Sequence, residues 1–213
     1  MKKLWVFGDS FSVEWGSESL YSKWKGYIPK IYSTIISETL GLELINTSVS
    51  GITNYDILDS VCENVHRIGE NDIVIIGWTS KHRFRLSNTD TNKWDYWQPG
   101  LWDSNQKYGI GTTPNISKST IDEILVNRMD SELYDKEILN WIELLKHTFK
   151  SNTFINWSWC NSEWHKGKYI YETIKEETNG LIDDLHFSEN GQFQFSQWVF
   201  SKIEKGGFVN DLI

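Results

Sequence analysis

Apolar and polar positions alternate along the chain in two rhythms, one of strands and one of helices. Leu4 to Phe7 is an unbroken apolar run closed by Gly8-Asp9-Ser10, which predicts a buried strand over Leu4–Gly8 ending in a tight turn. From Ile28 to Leu40, Ile28, Ile31, Tyr32, Ile35, Ile36 and Leu40 recur at helical spacing, and Gly41 is placed to cap the end. Glu43–Val49 reads as a second strand. Ile57, Leu58, Val61, Val65 and Ile68 share one face of a helix over Ile52–Ile68. Ile73-Val74-Ile75-Ile76 is apolar on both faces, so the strand Asp72–Gly77 belongs in the middle of a sheet. Helical spacing returns over Ile121–Leu145, read as two helices. Thr153–Trp159 is a fourth strand, and Ile170–Thr178 and Glu189–Ile203 are the closing helices. Between residues 85 and 119 the pattern dissolves. Trp94, Tyr96, Trp97, Trp102 and Tyr108 stand there among Asn, Asp, Gly and Thr, as in a long functional loop.

Strands separated by helices predict a parallel sheet covered on both faces, a three-layer α/β/α sandwich with right-handed crossovers. Ligands of such sheets bind beyond the carboxyl ends of the strands. Chemistry is therefore expected at Gly8–Ser12, Ser48–Asn54, Gly77–Arg85 and Asp183–His186. A length of 213 residues favours one domain, 1–213, carrying an aromatic insert at about 85–119. The 21 basic against 29 acidic residues give a net charge of −8, the opposite of a nucleic-acid binder's footprint. Cys62 and Cys160 make no disulfide framework and fit a reducing compartment. The apolar run at the amino end stops at Phe7, too short for a secretory signal, and no stretch approaches the roughly 18–20 apolar residues of a membrane span. The expectation is a cytoplasmic protein with neither nucleic acid nor membrane as partner. Aromatic residues are abundant at 15%, which suggests a surface that stacks on its ligand.

A serine in the turn after the first strand, with a glycine two residues before it, can present its hydroxyl at the sheet edge. Gly8-Asp9-Ser10 has this form, and the same residues also suit an ordinary Asx or Ser turn. A nucleophilic serine needs a base within hydrogen-bond reach and a group that orients the base. Asp183-Asp184-Leu185-His186 supplies both locally; the alternative is a solvated acidic loop. No His/Cys/Asp/Glu cluster has metal-ligand spacing, and no glycine-rich phosphate loop is present.

Gly8-Asp9-Ser10-Phe11-Ser12 and Asp183-x-x-His186 resemble the first and last blocks of the SGNH (GDSL-type) hydrolases, a family of three-layer α/β esterases and lipases that includes acetyltransferases. The resemblance implies Ser10 as nucleophile, His186 as base and Asp183 as its orienting acid. It implies the backbone N–H groups of Ser10 and Gly51 as oxyanion donors, Gly51 standing for the second block. The family's third block, Gly-x-Asn-Asp, is altered to Gly77-Trp78-Thr79-Ser80, so Thr79 holds the position of the third oxyanion donor, or else Arg83 or His82 replaces it. This altered block followed by arginines looks like SGNH-type proteins encoded by large phages. Asp9, Trp78, Arg83, Trp97 and Trp102 are the candidate substrate contacts.

The sequence thus reads as a serine esterase removing an acyl group, acetyl above all, from a saccharide or similar polar ester, with no cofactor and no metal. An O-acyltransferase using the same residues is one rival. A catalytically inert carbohydrate-binding or virion structural protein on the same fold is another.

Overall fold

The computed structural model describes residues 2–80, 83–88, 93–97, 131–160, 170–178 and 186–211. Five strands form one sheet: β1 (Lys3–Gly8), β2 (Glu43–Asn46), β3 (Ile73–Trp78), β6 (Thr153–Ser158) and β7 (Phe208–Asn210). Their order is β2-β1-β3-β6-β7, and every neighbouring pair is parallel. This is the expected α/β sandwich. Between β1 and β2 runs α2 (Tyr32–Leu40), and between β2 and β3 runs α3 (Asn54–Asn64). The strand order reverses direction at β1, so β1 and β3 flank the switch point, and ligands of such sheets bind beyond the carboxyl ends of the strands there.

Period-two alternation sorts the core into two layers. Leu4, Val6, Ile73, Ile75, Ile155 and Trp157 face α2 and the two late helices α5 (Ile170–Thr178) and α6 (Glu189–Ile203). Trp5, Phe7, Val74, Ile76, Trp78 and Phe154 face α3 and α4 (Ser131–Thr148). All six residues of β3 are buried, as its two-faced apolar run requires.

Several boundaries differ from the sequence reading for identifiable reasons. Helix α2 begins at Tyr32 rather than Ile28, because Pro29 disfavours helical backbone at Ile28. No side chain caps the new start; instead the Tyr32 N–H donates to Gln192 Oε1 on α6 at 2.9 Å. Helix α3 opens with a capping box between Thr53 and Asp56 and ends at Asn64, where Val65–Arg67 tightens into a 3-10 turn. The stretch read as patternless from Arg85 starts as an antiparallel hairpin, β4 (Phe84–Asn88) with β5 (Lys93–Trp97). One helix, α4, occupies the described part of the Ile121–Leu145 region. Two elements were not expected: the six-residue α1 (Leu20–Lys25) and the three-residue edge strand β7. Among the described residues, no helix is long and apolar enough to cross a membrane.

Candidate active site

Strand β1 ends in a turn that its own aspartate closes. The Ser12 N–H donates to the Asp9 carbonyl at 2.9 Å, and the Phe11 N–H donates to Asp9 Oδ1 at 3.1 Å. The turn separates its two serines. Ser12 is fully buried, its hydroxyl 2.8 Å from that of the buried Tyr32, whereas Ser10 is half-buried and keeps access to solvent. Gly8 permits this packing, since a Cβ there would come within 2.7 Å of Ser12 Oγ and 3.2 Å of the Gly77 carbonyl. Of the two hydroxyls, only that of Ser10 is placed to meet a ligand.

Beside this turn lies the loop after β2. The Thr47 and Val49 N–H groups donate to the carbonyls of Val6 and Gly8, which draws the loop along β1. Gly51 follows with φ of +80°, a left-handed conformation that favours glycine. Two residues beyond the buried Ile52 comes Asn54, wholly buried. Its Oδ1 accepts from the Thr79 N–H at 2.8 Å and its Nδ2 donates to the Thr79 carbonyl at 3.0 Å. Asn54 therefore fixes the end of β3 against the start of α3. Its only sequence signal was a residue of poor helix propensity directly after the cap Thr53.

The Asp9 side chain ties these pieces together. It is 1% exposed, and its Oδ2 accepts from Thr79 Oγ1 at 2.6 Å, Trp159 Nε1 at 2.8 Å and Arg83 Nη1 at 2.9 Å. With the Phe11 N–H on the other oxygen, the carboxylate receives donors from its own turn, from Thr79 and Arg83 beyond the end of β3, and from the residue after β6. A buried carboxylate needs such partners, and a guanidinium at ion-pair distance above all. Arg83 is itself buried and lies over the Trp159 ring at 5.5 Å.

These placements correct several expected roles. Asp9 and Arg83 are turned inward upon each other and are not positioned as substrate contacts. Trp78 is fully buried, its Nε1 donating to Asn156 Oδ1 at 3.0 Å, so it belongs to the core and not to a binding surface. Thr79 is buried, and its single hydroxyl proton is directed to Asp9; it is not available for an oxyanion while that bond holds.

His186 stands half-buried just before Ser188, the N-cap of α6. Its ring stacks on Phe11 at 4.3 Å with an interplanar angle of 20°, and Phe11 stacks in turn on Trp159 at 4.5 Å and 12°. Trp15 approaches the imidazole edge-on at 6.0 Å. The first and last motifs thus meet, since Phe11 is the residue after Ser10. Phe11, Trp15 and Trp159 were not anticipated, because nothing local in sequence marks a ring that will pack on a histidine from the far end of the chain. Asp183, His82, Trp102 and the side chain of Trp97 lie outside the described residues, although the Trp97 backbone pairs with Phe84 in the hairpin.

Other reactive groups recede. Burial, reinforced by the Asp9 carboxylate, pushes the Cys160 thiol up to about 12, so it stays protonated and is no nucleophile near neutral pH. His66 and His147 are exposed at or near helix ends. Among the described residues, no group of three or more His, Cys, Asp or Glu could hold a metal ion.

No protein-family model matches the chain, and no curated protein matches it. Among solved structures, the crystal structure of the lipase/acylhydrolase from Enterococcus faecalis is similar over 96% of this chain and 96% of its own, with 15% sequence identity and a TM-score of 0.47. A likeness at that level leaves the chemistry to be argued from the residues themselves.

Proposed function

We propose that the protein is a serine-type ester hydrolase that removes an acyl group, acetyl above all, from a saccharide or similarly polar alcohol. Ser10 attacks the ester carbonyl and gives its proton to His186, which Asp183 orients. The Ser10 and Gly51 N–H groups hold the oxyanion. His186 then protonates the departing alcohol, and water cleaves the acyl-enzyme by the same route in reverse. One observation carries this reading: the His186 ring lies 4.3 Å from the ring of Phe11, the neighbour of the solvent-accessible Ser10 at the switch point of a parallel sheet.

The commitment of the Thr79 hydroxyl to Asp9 favours a second reading, an inert binding protein on the same fold. Two oxyanion donors in place of three lower the rate by about 10²–10³, which weakens catalysis without abolishing it. Hydrolysis of 4-nitrophenyl acetate separates the two. The esterase reading expects turnover that falls by at least about 10³ in Ser10→Ala, with the fold retained by circular dichroism. No turnover in the wild type, or equal turnover in Ser10→Ala, supports the inert reading instead.

A further inference from the structure

Helix α1 and the turn after it present an aromatic surface to solvent. Trp24 is 76% exposed, and among the tryptophans whose side chains are described it alone stands largely in water. Leu20, one turn earlier, and Tyr27 and Ile28 beyond the helix extend the same exposed stretch. The surface is held rigidly. Ser19 caps α1 by accepting from the Ser22 N–H, and Gly26 closes its other end. Glu189 then fastens the segment to α6: Lys25 Nζ and the Tyr27 hydroxyl both donate to Glu189 Oε2, at 3.2 and 2.7 Å, while the Glu189 N–H donates to the Tyr21 hydroxyl at 2.8 Å. A large ring left exposed on a segment tethered in this way is offered to a partner at reduced ordering cost.

Its position ties it to the candidate active site. Ring contacts run without a break from the imidazole outward: His186 to Trp15 at 6.0 Å, Trp15 to Tyr21 at 5.1 Å, and Tyr21 to Trp24 at 5.9 Å. The outer end is polar at its rim, with Lys25 Nζ 5.3 Å from the Trp24 ring centroid and the half-exposed Glu189 carboxylate beside it. An alkyl chain lying here would strip water from that ion pair without replacing its hydrogen bonds. A saccharide ring suits both features, offering an apolar C–H face to the indole and hydroxyls to the carboxylate and ammonium.

We propose that Trp24, flanked by Lys25, Tyr27 and Glu189, is a saccharide-stacking subsite for the alcohol part of the substrate. The placement on the alcohol side rests on the esterase reading; the stacking itself does not. The test uses the full chain labelled with 15N, following the Trp24 indole resonance, which Trp24→Phe identifies by its absence, during titration with xylotetraose, cellotetraose and chitotetraose. A saturable shift with at least one tetraose is expected, and tetraose binding measured calorimetrically should fall about tenfold in Trp24→Ala and be partly restored in Trp24→Phe. The ratio of kcat/KM on acetylated xylotetraose to that on 4-nitrophenyl acetate should fall about tenfold in Trp24→Ala. A shift in a protein that hydrolyses neither ester supports the subsite and removes the esterase reading. No shift with any tetraose overturns the subsite. A concentration-dependent dimer in sedimentation that Trp24→Ala abolishes also overturns it, making the surface an interface between copies.

Discussion

Asp9 shows how far a residue's neighbours in sequence can mislead about its role. Lying beside Ser10 in a turn, it read as a substrate contact. The donors that occupy it come from positions 79, 83 and 159, whose convergence depends on the parallel register of β1, β3 and β6. Asp9→Asn leaves the buried Arg83 guanidinium facing a neutral amide, and urea unfolding should record a loss of about 3–5 kcal/mol. Replacing both, as Asp9→Asn with Arg83→Met, should recover much of that loss; strictly additive losses would contradict the coupling. Thr79 offers a finer comparison. Thr79→Val removes the hydroxyl and keeps the shape, so stability should fall by about 1.5–3 kcal/mol, the range for a hydrogen bond to a charged group, with kcat on an aryl acetate changing less than tenfold. A hundredfold lower kcat at unchanged stability would return Thr79 to the oxyanion hole.

Elements were legible in proportion to how much apolar surface they bury. The helices Ile170–Thr178 and Glu189–Ile203 match their periodic patterns at both ends, and the two-faced run of β3 marked the sheet's centre. Helix α1 left no such trace because Leu20 and Trp24, at i and i+4, face water and of its large side chains Tyr21 alone is buried. Strand β7 is three residues long, too short for alternation to register, and it is held in place through a partner no local pattern announces. Asp211, just after β7, accepts the Ile170 N–H at the start of α5 at 2.9 Å. Burial pushes its carboxyl up to about 6 from the ordinary 3.8, while the Ile170 hydrogen bond and Lys202 work the other way. The folded state therefore holds this proton more tightly than the unfolded chain. The stabilisation is complete below about pH 4 and is lost as pH rises through about 6. Asp211→Asn stays neutral and keeps an acceptor, so it should match the wild type near pH 4 and exceed its stability at pH 7.5 by roughly 2–3 kcal/mol. Urea unfolding at the two values decides this; an equal difference at both would remove Asp211 from the account.

At the scale of the whole molecule, the reach of the sequence was set by topology. Alternating strands and helices imply a parallel sheet, and that sheet brings residues 8–12, 48–54, 77–80, 83 and 186 to one end, within the stretches 8–12, 48–54, 77–85 and 183–186 that their order along the chain led one to expect. What no pattern foretold is the filling of that end: the aromatic stack Trp159–Phe11–His186 and the buried carboxylate beneath it. The side-chain partners of that carboxylate stand 70, 74 and 150 residues from it, and those of the stack are as remote, so these contacts are decided by packing and not by local propensity. The central claim is that Ser10 is a nucleophile activated by His186. Labelling of the intact protein with a fluorophosphonate, followed by peptide mass spectrometry, tests it most directly. The account predicts a single phosphonylated peptide modified at Ser10, absent in Ser10→Ala and formed at least about 10²-fold more slowly in His186→Ala, the low end of what a general base contributes. Absence of any adduct in the wild type, or an adduct on another serine that persists in Ser10→Ala, would contradict it.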